Sequence, residues 1–205
     1  MKYYEFERAM APFVCFSVND ARVRFPGFDR KRLTEWQQKG YIRKIVRGFY
    51  RFAAQEELPY TAWFIANRIY APSYISLQSA LAHYGFIPEA VFHPTSIATR
   101  VTRTFESGDR QYIYRNIKPA CYFGFTLLPY REHHTVRLAE PEKALLDLLY
   151  LEPALRENTD FEAWRLEPER IRDTVRQTRM DEYSSIMMNN SFTARYRQFK
   201  RWLYA

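Results

Sequence analysis

Cysteine is scarce in this sequence, and its scarcity excludes one class of fold. The 205 residues contain only two cysteines, Cys15 and Cys121, which lie far apart in the chain. Two cysteines cannot build the disulfide framework that stabilises small secreted domains. We therefore expect a soluble protein of the reducing cytoplasm, stabilised by hydrophobic cores.

Long apolar runs are missing as well. No segment approaches the run of roughly 18 apolar residues that a membrane-spanning helix requires. Residues 1–8 lack the apolar stretch of a secretory signal. The sequence also shows no repeat of fixed period and no low-complexity segment. We expect a globular protein with no membrane partner.

The spacings typical of metal sites and hydrolases are absent too. The sequence has no His-x-Glu, His-Glu-x-x-His, Cys-x-x-Cys or Gly-x-Ser-x-Gly. Glu132, His133 and His134 are consecutive, but neighbouring side chains on a strand point to opposite faces, so the two histidines cannot easily share one ion. Nucleotidyltransferases need paired carboxylates for metal and triphosphate, and residues 106–109 offer no Asp-x-Asp. We expect no metal, no cofactor and no enzymatic activity.

Two remaining polar groupings have structural explanations. Ser76 and Ser79 lie near His83 on one predicted helix face, which would suit a nucleophile and a base, but helix capping explains Ser76. Lys143 precedes Asp147 by four residues in an apolar helix. This spacing predicts an intrahelical ion pair, with a buried partner as the alternative.

Positive charge, in contrast, is abundant and concentrated in the first quarter of the chain. Residues 1–55 contain 12 Lys and Arg against 5 Asp and Glu, a net charge of +7. The other 150 residues contain 19 against 18, which leaves +1 of the total of +8. Such a local excess of basic residues predicts a polyanionic partner.

Three helices are predicted in the basic segment. The first covers residues 2–11. Ser17 opens the second, with Asp20 in the position of a capping box. Asp29 is the expected N-cap of the third helix, and Gly40 is its expected stop.

A basic hairpin follows these helices. Residues 41–52 contain two β-prone runs around Val46-Arg47-Gly48, which predict a β-hairpin wing. Three helices followed by such a hairpin form a winged helix-turn-helix, although a trihelical protein-interaction module with a solvated charged face is the alternative. Because the charge lies on the two elements that touch DNA in this fold, we favour double-stranded DNA as the partner. The candidate base contacts are Arg30, Lys31, Thr34 and Gln38, and the candidate backbone contacts are Arg43, Lys44, Arg47 and Arg51.

The rest of the chain is predicted as a second, larger domain. A polar break at residues 55–59 separates a DNA-binding domain, 1–55, from a second domain, 59–205. Helical patterns cover residues 60–70, 73–85 (with Ser76 as N-cap and Gly85 as stop), 141–150 and most of 161–205. Alternating patterns predict antiparallel strands at 95–102, 111–117, 122–127 and 135–138. The predicted fold class is α+β, a winged helix-turn-helix followed by helices around a small antiparallel sheet.

Three stretches resemble a known family in content, order and spacing. They are Trp36–Tyr50, Tyr74–Glu89 and Pro141–Tyr150. The family is the AbiEi-type antitoxins of bacterial type IV toxin–antitoxin systems. The resemblance implies that the winged helix represses its own operon, at an operator expected to contain inverted repeats. It also implies that the C-terminal domain counteracts a nucleotidyltransferase-type toxin.

The resemblance and the residues leave alternatives open. In that family the antitoxin is thought to act without a stable complex, so a functional link to the toxin is implied rather than direct binding. The alternative function is a plain winged-helix transcriptional regulator whose C-terminal domain senses a ligand or dimerises. An enzyme that processes a nucleic acid is a third class, and the missing motifs argue against it.

Overall fold

The computed structural model describes residues 2–131, 133–187 and 189–205. The first part of the chain forms α1 (Tyr3–Met10), β1 (Phe16–Ser17), α2 (Val18–Arg24), α3 (Lys31–Gln38), β2 (Ile42–Val46) and β3 (Phe49–Phe52). There follow α4 (Thr61–Ile69), β4 (Ser73–Ile75), α5 (Leu77–Tyr84), β5 (Thr95–Ala98), β6 (Arg103–Ser107), β7 (Arg110–Asn116), a 3-10 helix (Pro119–Cys121), β8 (Phe125–Tyr130) and β9 (His134–Ala139). The chain ends with α6 (Pro141–Leu151), α7 (Asn158–Ala163), α8 (Pro168–Thr174), α9 (Gln177–Ile186) and α10 (Asn190–Leu203).

The N-terminal segment packs three helices against a three-stranded antiparallel sheet of order β1-β3-β2. Phe16 lies opposite Tyr50 in this sheet. Aromatic side chains fill the core beneath it, where the ring centroids of Phe6 and Trp36 lie 4.7 Å apart. Large rings let a segment of about fifty residues bury enough apolar surface to hold its helices in place.

The predicted helix starts in this segment are largely confirmed. The Asp20 backbone amide donates to Ser17 Oγ at 3.2 Å, and the Ser17 amide donates to Asp20 Oδ2 at 2.7 Å, which completes the capping box. At α3 the N-cap position belongs to Arg30, one residue later than predicted. The Asp29 carboxylate still accepts from the Lys31 amide at 2.9 Å, so it satisfies one free donor of the first turn.

The larger part of the chain is α+β, but the prediction of a small antiparallel sheet is wrong. Six strands form one mixed sheet in the order β6-β7-β5-β4-β9-β8. The pairs β5–β7 and β4–β9 are parallel, and the other neighbours are antiparallel.

The cause of this error is the central strand β4. All three of its residues, Ser73 to Ile75, are buried, so they show none of the alternation that marks a half-buried strand. The sequence pattern assigns them to the following helix. That helix begins only at Leu77, after the expected N-cap Ser76, and ends at the expected Gly85. Because β4 lies between β5 and β9, it joins the strands on either side of it into a single sheet.

Helix α6 lies in the centre of the large core. Pro141 occupies its first turn, as predicted, and the eight residues Glu142–Leu149 are all buried. It contacts α5, α9 and α10. A helix buried on every side explains why this stretch is apolar except for a few polar positions.

The two parts of the chain share apolar packing. Cys15, just before β1, and Ile45 and Val46 of β2 belong to the large core, where they cluster with Ile65. The predicted boundary at 55–59 lies in the irregular connection between β3 and α4. The division into domains 1–55 and 59–205 stays a prediction. In the described part of the chain, no helix combines the length and the apolar character needed to cross a bilayer.

Candidate nucleic-acid interface

The orientation of α3 follows from its two buried side chains. Leu33 is 1% exposed and Trp36 is 3% exposed, so both point into the small core. The opposite face of the helix is therefore turned to solvent. The exposed side chains on α3 and at its N-terminus include the four candidate base contacts, Arg30, Lys31, Thr34 and Gln38.

The predicted wing is formed by β2 and β3. Arg43 pairs with Arg51, and Val46 pairs with Phe49, in the antiparallel ladder. The turn consists of Arg47 and Gly48, and Gly48 has a φ of +91°, a conformation that favours glycine. Arg47 is exposed at the tip of this turn.

A basic concavity of about 510 Å³ connects the wing tip to the helices. Three arginines from different elements line it: Arg22 of α2, Arg30 at the start of α3 and Arg47 of the turn. Among the described residues, none of the three guanidinium groups has a hydrogen bond or an ion pair. Three uncompensated guanidinium groups around one hollow favour an anion, and phosphate oxygens match their geometry. We call this set the arginine concavity.

Arg22 is a site residue that the sequence analysis misses. The sequence does show two basic residues, Arg22 and Arg24, in the last turn of α2. They add to the local positive charge, but they belong to neither α3 nor the wing. Only the fold shows that Arg22, rather than Arg24, lines the concavity.

Arg43 and Lys44 lie apart from the arginine concavity. Both are exposed on β2, and both line a different cavity of about 440 Å³ that faces the turn between β6 and β7. Asp109 and Glu57 are among the other walls of that cavity. These two candidates therefore face acidic groups of the same chain as well as solvent.

Arg51 points back toward the rest of the chain. Its side chain is 13% exposed, and Nη1 lies 3.4 Å from Glu57 Oε2. Nη2 donates to the Gln55 carbonyl oxygen at 2.9 Å. The other Glu57 oxygen pairs with Arg110 of β7. The guanidinium group of Arg51 thus binds the connection after β3, whereas that of Arg47 has no partner in the described part of the chain.

The histidine pair near residue 133 has a structural contact. His134 Nε2 lies 3.0 Å from the Pro12 carbonyl oxygen, and its ring packs on Phe64 at 4.9 Å between centroids. Glu132, the third member of the sequence grouping, lies outside the described residues. Within residues 2–131, 133–187 and 189–205, no group of three or more His, Cys, Asp or Glu side chains is placed to hold a metal ion.

The predicted pair Lys143–Asp147 is present, in a fully buried polar network. Both side chains are 0% exposed. Asp147 Oδ2 accepts from Ser76 Oγ at 2.7 Å and from the Tyr74 hydroxyl at 3.0 Å, and Lys143 Nζ donates to that hydroxyl at 2.8 Å. Burial raises the pKa of Asp147, although the hydrogen bonds and Lys143 act to lower it. These hydrogen bonds connect β4 to α6. Because all four side chains are buried, the network offers no accessible nucleophile.

This network also revises the role expected of Ser76. The residue occupies the N-cap position of α5, but its side chain makes no capping hydrogen bond. Thr95 takes over at the helix start, where its Oγ1 accepts from the Ser79 amide at 2.9 Å. The Thr95 amide in turn donates to Ser79 Oγ at 2.9 Å. Ser79 and Ser76 therefore have separate structural partners.

Comparison with known proteins adds a distant likeness to a solved structure. No protein-family model matches the sequence, and no curated protein matches it. Among solved structures, the chain is similar to the crystal structure of the RV2827C protein from Mycobacterium tuberculosis, with a TM-score of 0.48 and 15% sequence identity. The likeness covers 97% of this chain and 80% of that chain. At this TM-score it carries no argument about function.

Proposed function

We propose that this chain is a sequence-specific DNA-binding protein. The carrying observation is the arginine concavity, in which Arg22, Arg30 and Arg47 converge beside the exposed face of α3. In the proposed complex α3 enters the major groove, and Lys31, Thr34 and Gln38 contact base edges. The concavity holds a phosphate of the flanking backbone, which positions the helix without reading sequence. Arg30, a candidate base contact in the sequence analysis, is thereby assigned to the phosphate.

The resemblance to AbiEi-type antitoxins extends this proposal to a biological role. The protein would repress its own operon in the cytoplasm and counteract a nucleotidyltransferase-type toxin, with no catalytic step of its own. The basic surface supports only the DNA-binding part of this role. The antitoxin part rests on the three matching stretches, of which two, residues 74–89 and 141–150, contain the members of the buried Tyr74–Asp147 network.

Binding of the full chain to the DNA upstream of its own gene tests the first part. Fluorescence anisotropy should show at least about 1,000-fold tighter binding to that duplex than to a scrambled one of equal length. Lys31→Ala should reduce this preference, because a base contact is worth about 1–3 kcal/mol. Arg22→Ala should weaken binding to both duplexes to a similar extent.

Arg201→Ala is the matched control, because Arg201 is exposed on α10 and does not line the concavity. Its binding should equal that of the unchanged chain. Equal affinity for the two duplexes, or an Arg22→Ala protein that binds as well as the control, would show that the proposed surface is wrong.

Co-expression with an adjacent nucleotidyltransferase-type gene tests the second part. The full chain should restore growth that the toxin suppresses. A chain with both Lys31→Ala and Arg47→Ala should still restore growth when it is supplied from an unrelated promoter, because the proposed antitoxin role lies outside the DNA surface. Failure of the unchanged chain to restore growth would favour the plain regulator.

A further inference from the structure

A second cavity, of about 430 Å³, lies where the N-terminal segment meets the rest of the chain. Residues 13–15, which precede β1, form one wall, and α4 and β9 form the others. Its volume falls within the range of about 300–1,000 Å³ that is typical of small-molecule sites. It shares no lining residue with the arginine concavity.

Part of the cavity lining is apolar and aromatic. Phe13, Val14 and Phe64 contribute to the lining. The His134 ring packs against Phe64, and its hydrogen bond to the Pro12 carbonyl holds it in place. Aromatic walls of this kind favour a flat ring, which packs on them through stacked or edge contacts.

Positively charged side chains also line the cavity. The guanidinium group of Arg137 makes no hydrogen bond or ion pair within the described residues. Arg68 lines the cavity too, and its Nη2 donates to Asp20 Oδ1 at 2.8 Å. Because a guanidinium group carries five N–H donors, Arg68 keeps further donors for a ligand. Among the described residues that line the cavity, none is an aspartate or a glutamate.

Asn67 supplies an independent sign of a missing partner. The residue lines the cavity and is 7% exposed. Its Oδ1 accepts from the Arg137 backbone amide at 2.6 Å, which determines the orientation of the side-chain amide. Its Nδ2 is buried and has no hydrogen-bond partner among the described residues. A buried donor without an acceptor destabilises the fold, and an acceptor oxygen on a ligand would remove that cost.

We propose that this cavity binds a small aromatic molecule that carries one carboxylate or phosphate group. The ring packs against Phe13 and Phe64. The anionic group lies between Arg137 and Arg68 and accepts from Asn67 Nδ2. The site is separate from the DNA surface, so its occupancy does not depend on the proposed function.

Isothermal titration of the full chain with two pairs of probes tests the proposal. Benzoate and AMP carry the anionic group, and benzamide and adenosine are their neutral counterparts. At least one anion should bind, and its neutral counterpart should bind at least about tenfold more weakly, because charge-assisted hydrogen bonds are lost. Binding of benzoate alone identifies the carboxylate class, and binding of AMP alone identifies the phosphate class.

Two substitutions at exposed positions locate the site. Arg137→Gln removes the charge but keeps the backbone bond to Asn67, and it should weaken anion binding about tenfold. Thr135→Trp keeps every charge but fills the cavity with a side chain that a strand accepts, and it should abolish binding. Arg201→Gln, outside the cavity, should bind like the unchanged chain.

Three outcomes overturn the proposal. The first is that neither anion binds at millimolar concentration. The second is that a neutral counterpart binds as tightly as its anion. The third is that binding survives both Arg137→Gln and Thr135→Trp, which would place the bound anion elsewhere on the chain.

Discussion

Arg51 in the wing forms an ion pair with Glu57 in the connection to α4, at 3.4 Å between Nη1 and Oε2. This contact turns Arg51 away from the wing tip, where Arg47 stands without a partner among the described residues. Two arginines that look equivalent in the sequence therefore have different surroundings. The difference gives the DNA proposal its most direct test.

Arg47→Ala should reduce the salt dependence of DNA binding, whereas Arg51→Ala should not. Each phosphate contact that is lost lowers the slope of log K against log salt by about 0.9. The slope should be measured for both variants and the unchanged chain between 50 and 200 mM salt, roughly the range in which counterion release dominates. Equal slopes for the two variants would contradict the placement of Arg47 on a phosphate.

Lys143→Met should be among the most destabilising substitutions in the chain. It leaves the fully buried Asp147 carboxylate without its cation, and the loss of one partner of a buried pair costs about 3–5 kcal/mol. Urea unfolding measures this cost. Adding Asp147→Leu to Lys143→Met should recover part of the loss, because the unpaired charge is then removed.

An exposed ion pair provides the comparison. Arg165 lies 2.9 Å from Glu89, and its side chain is 65% exposed. Arg165→Met should cost less than about 1 kcal/mol, as is usual for exposed pairs. A similar cost for Lys143→Met would mean that the buried network is not formed.

Gly124→Ala should destabilise the chain more than Gly108→Ala. Both glycines have positive φ, +69° and +62°, so both substitutions carry a backbone cost of about 1–2 kcal/mol. A Cβ at Gly124 would also lie 3.0 Å from the Tyr183 ring and 3.1 Å from Lys143 Cγ, whereas a Cβ at Gly108 meets open space. We expect a further cost of about 1–3 kcal/mol at Gly124 from this crowding. Equal unfolding midpoints for the two variants would contradict the close approach.

Asp20→Asn should lower the free energy of unfolding at neutral pH, and it should lower it much less in acid. Burial acts to raise the pKa of Asp20, but hydrogen bonds from Ser17 and the Arg68 guanidinium outweigh it and lower the pKa below 3.8. The stabilisation from the ionised carboxylate is therefore complete above this value and is lost as the pH falls through the folded-state pKa. At pH 7 the variant should lose about 1 kcal/mol, the usual cost of a cap.

Thermal unfolding at pH 7 and at pH 3 measures this difference. The difference in unfolding temperature between Asp20→Asn and the unchanged chain should be smaller at pH 3 than at pH 7. Asp173→Asn, at an exposed position of α8, should leave the unfolding temperature unchanged at both values. A difference in unfolding temperature between Asp20→Asn and the unchanged chain that grows at pH 3 would contradict the lowered pKa of Asp20.

The parts of the fold that the sequence predicts depend on local signals. Ser17 with Asp20 marks the start of α2 through a reciprocal hydrogen bond, and Pro141 marks the start of α6 through its restricted φ. Glycine at residue 48 marks the wing turn. Each of these features is determined by residues within one turn of the chain, so a single sequence reveals them.

The parts that it misses depend on distant residues. The strand β4 is recognisable only through its neighbours β5 and β9, which lie about twenty and sixty residues further along the chain. The spacing of Lys143 and Asp147 predicts their pairing but not the hydroxyl groups of Tyr74 and Ser76 that complete it. Arg22 joins Arg47 only because the fold brings α2 beside the wing.

The apolar core that the two parts of the chain share limits the stability of the N-terminal segment on its own. A chain cut after residue 55 would carry Cys15, Ile45 and Val46 without the side chains that cover them. Exposed apolar surface of this kind invites aggregation and cleavage by proteases. We therefore expect residues 1–55 to be unstable when they are separated from the rest of the chain.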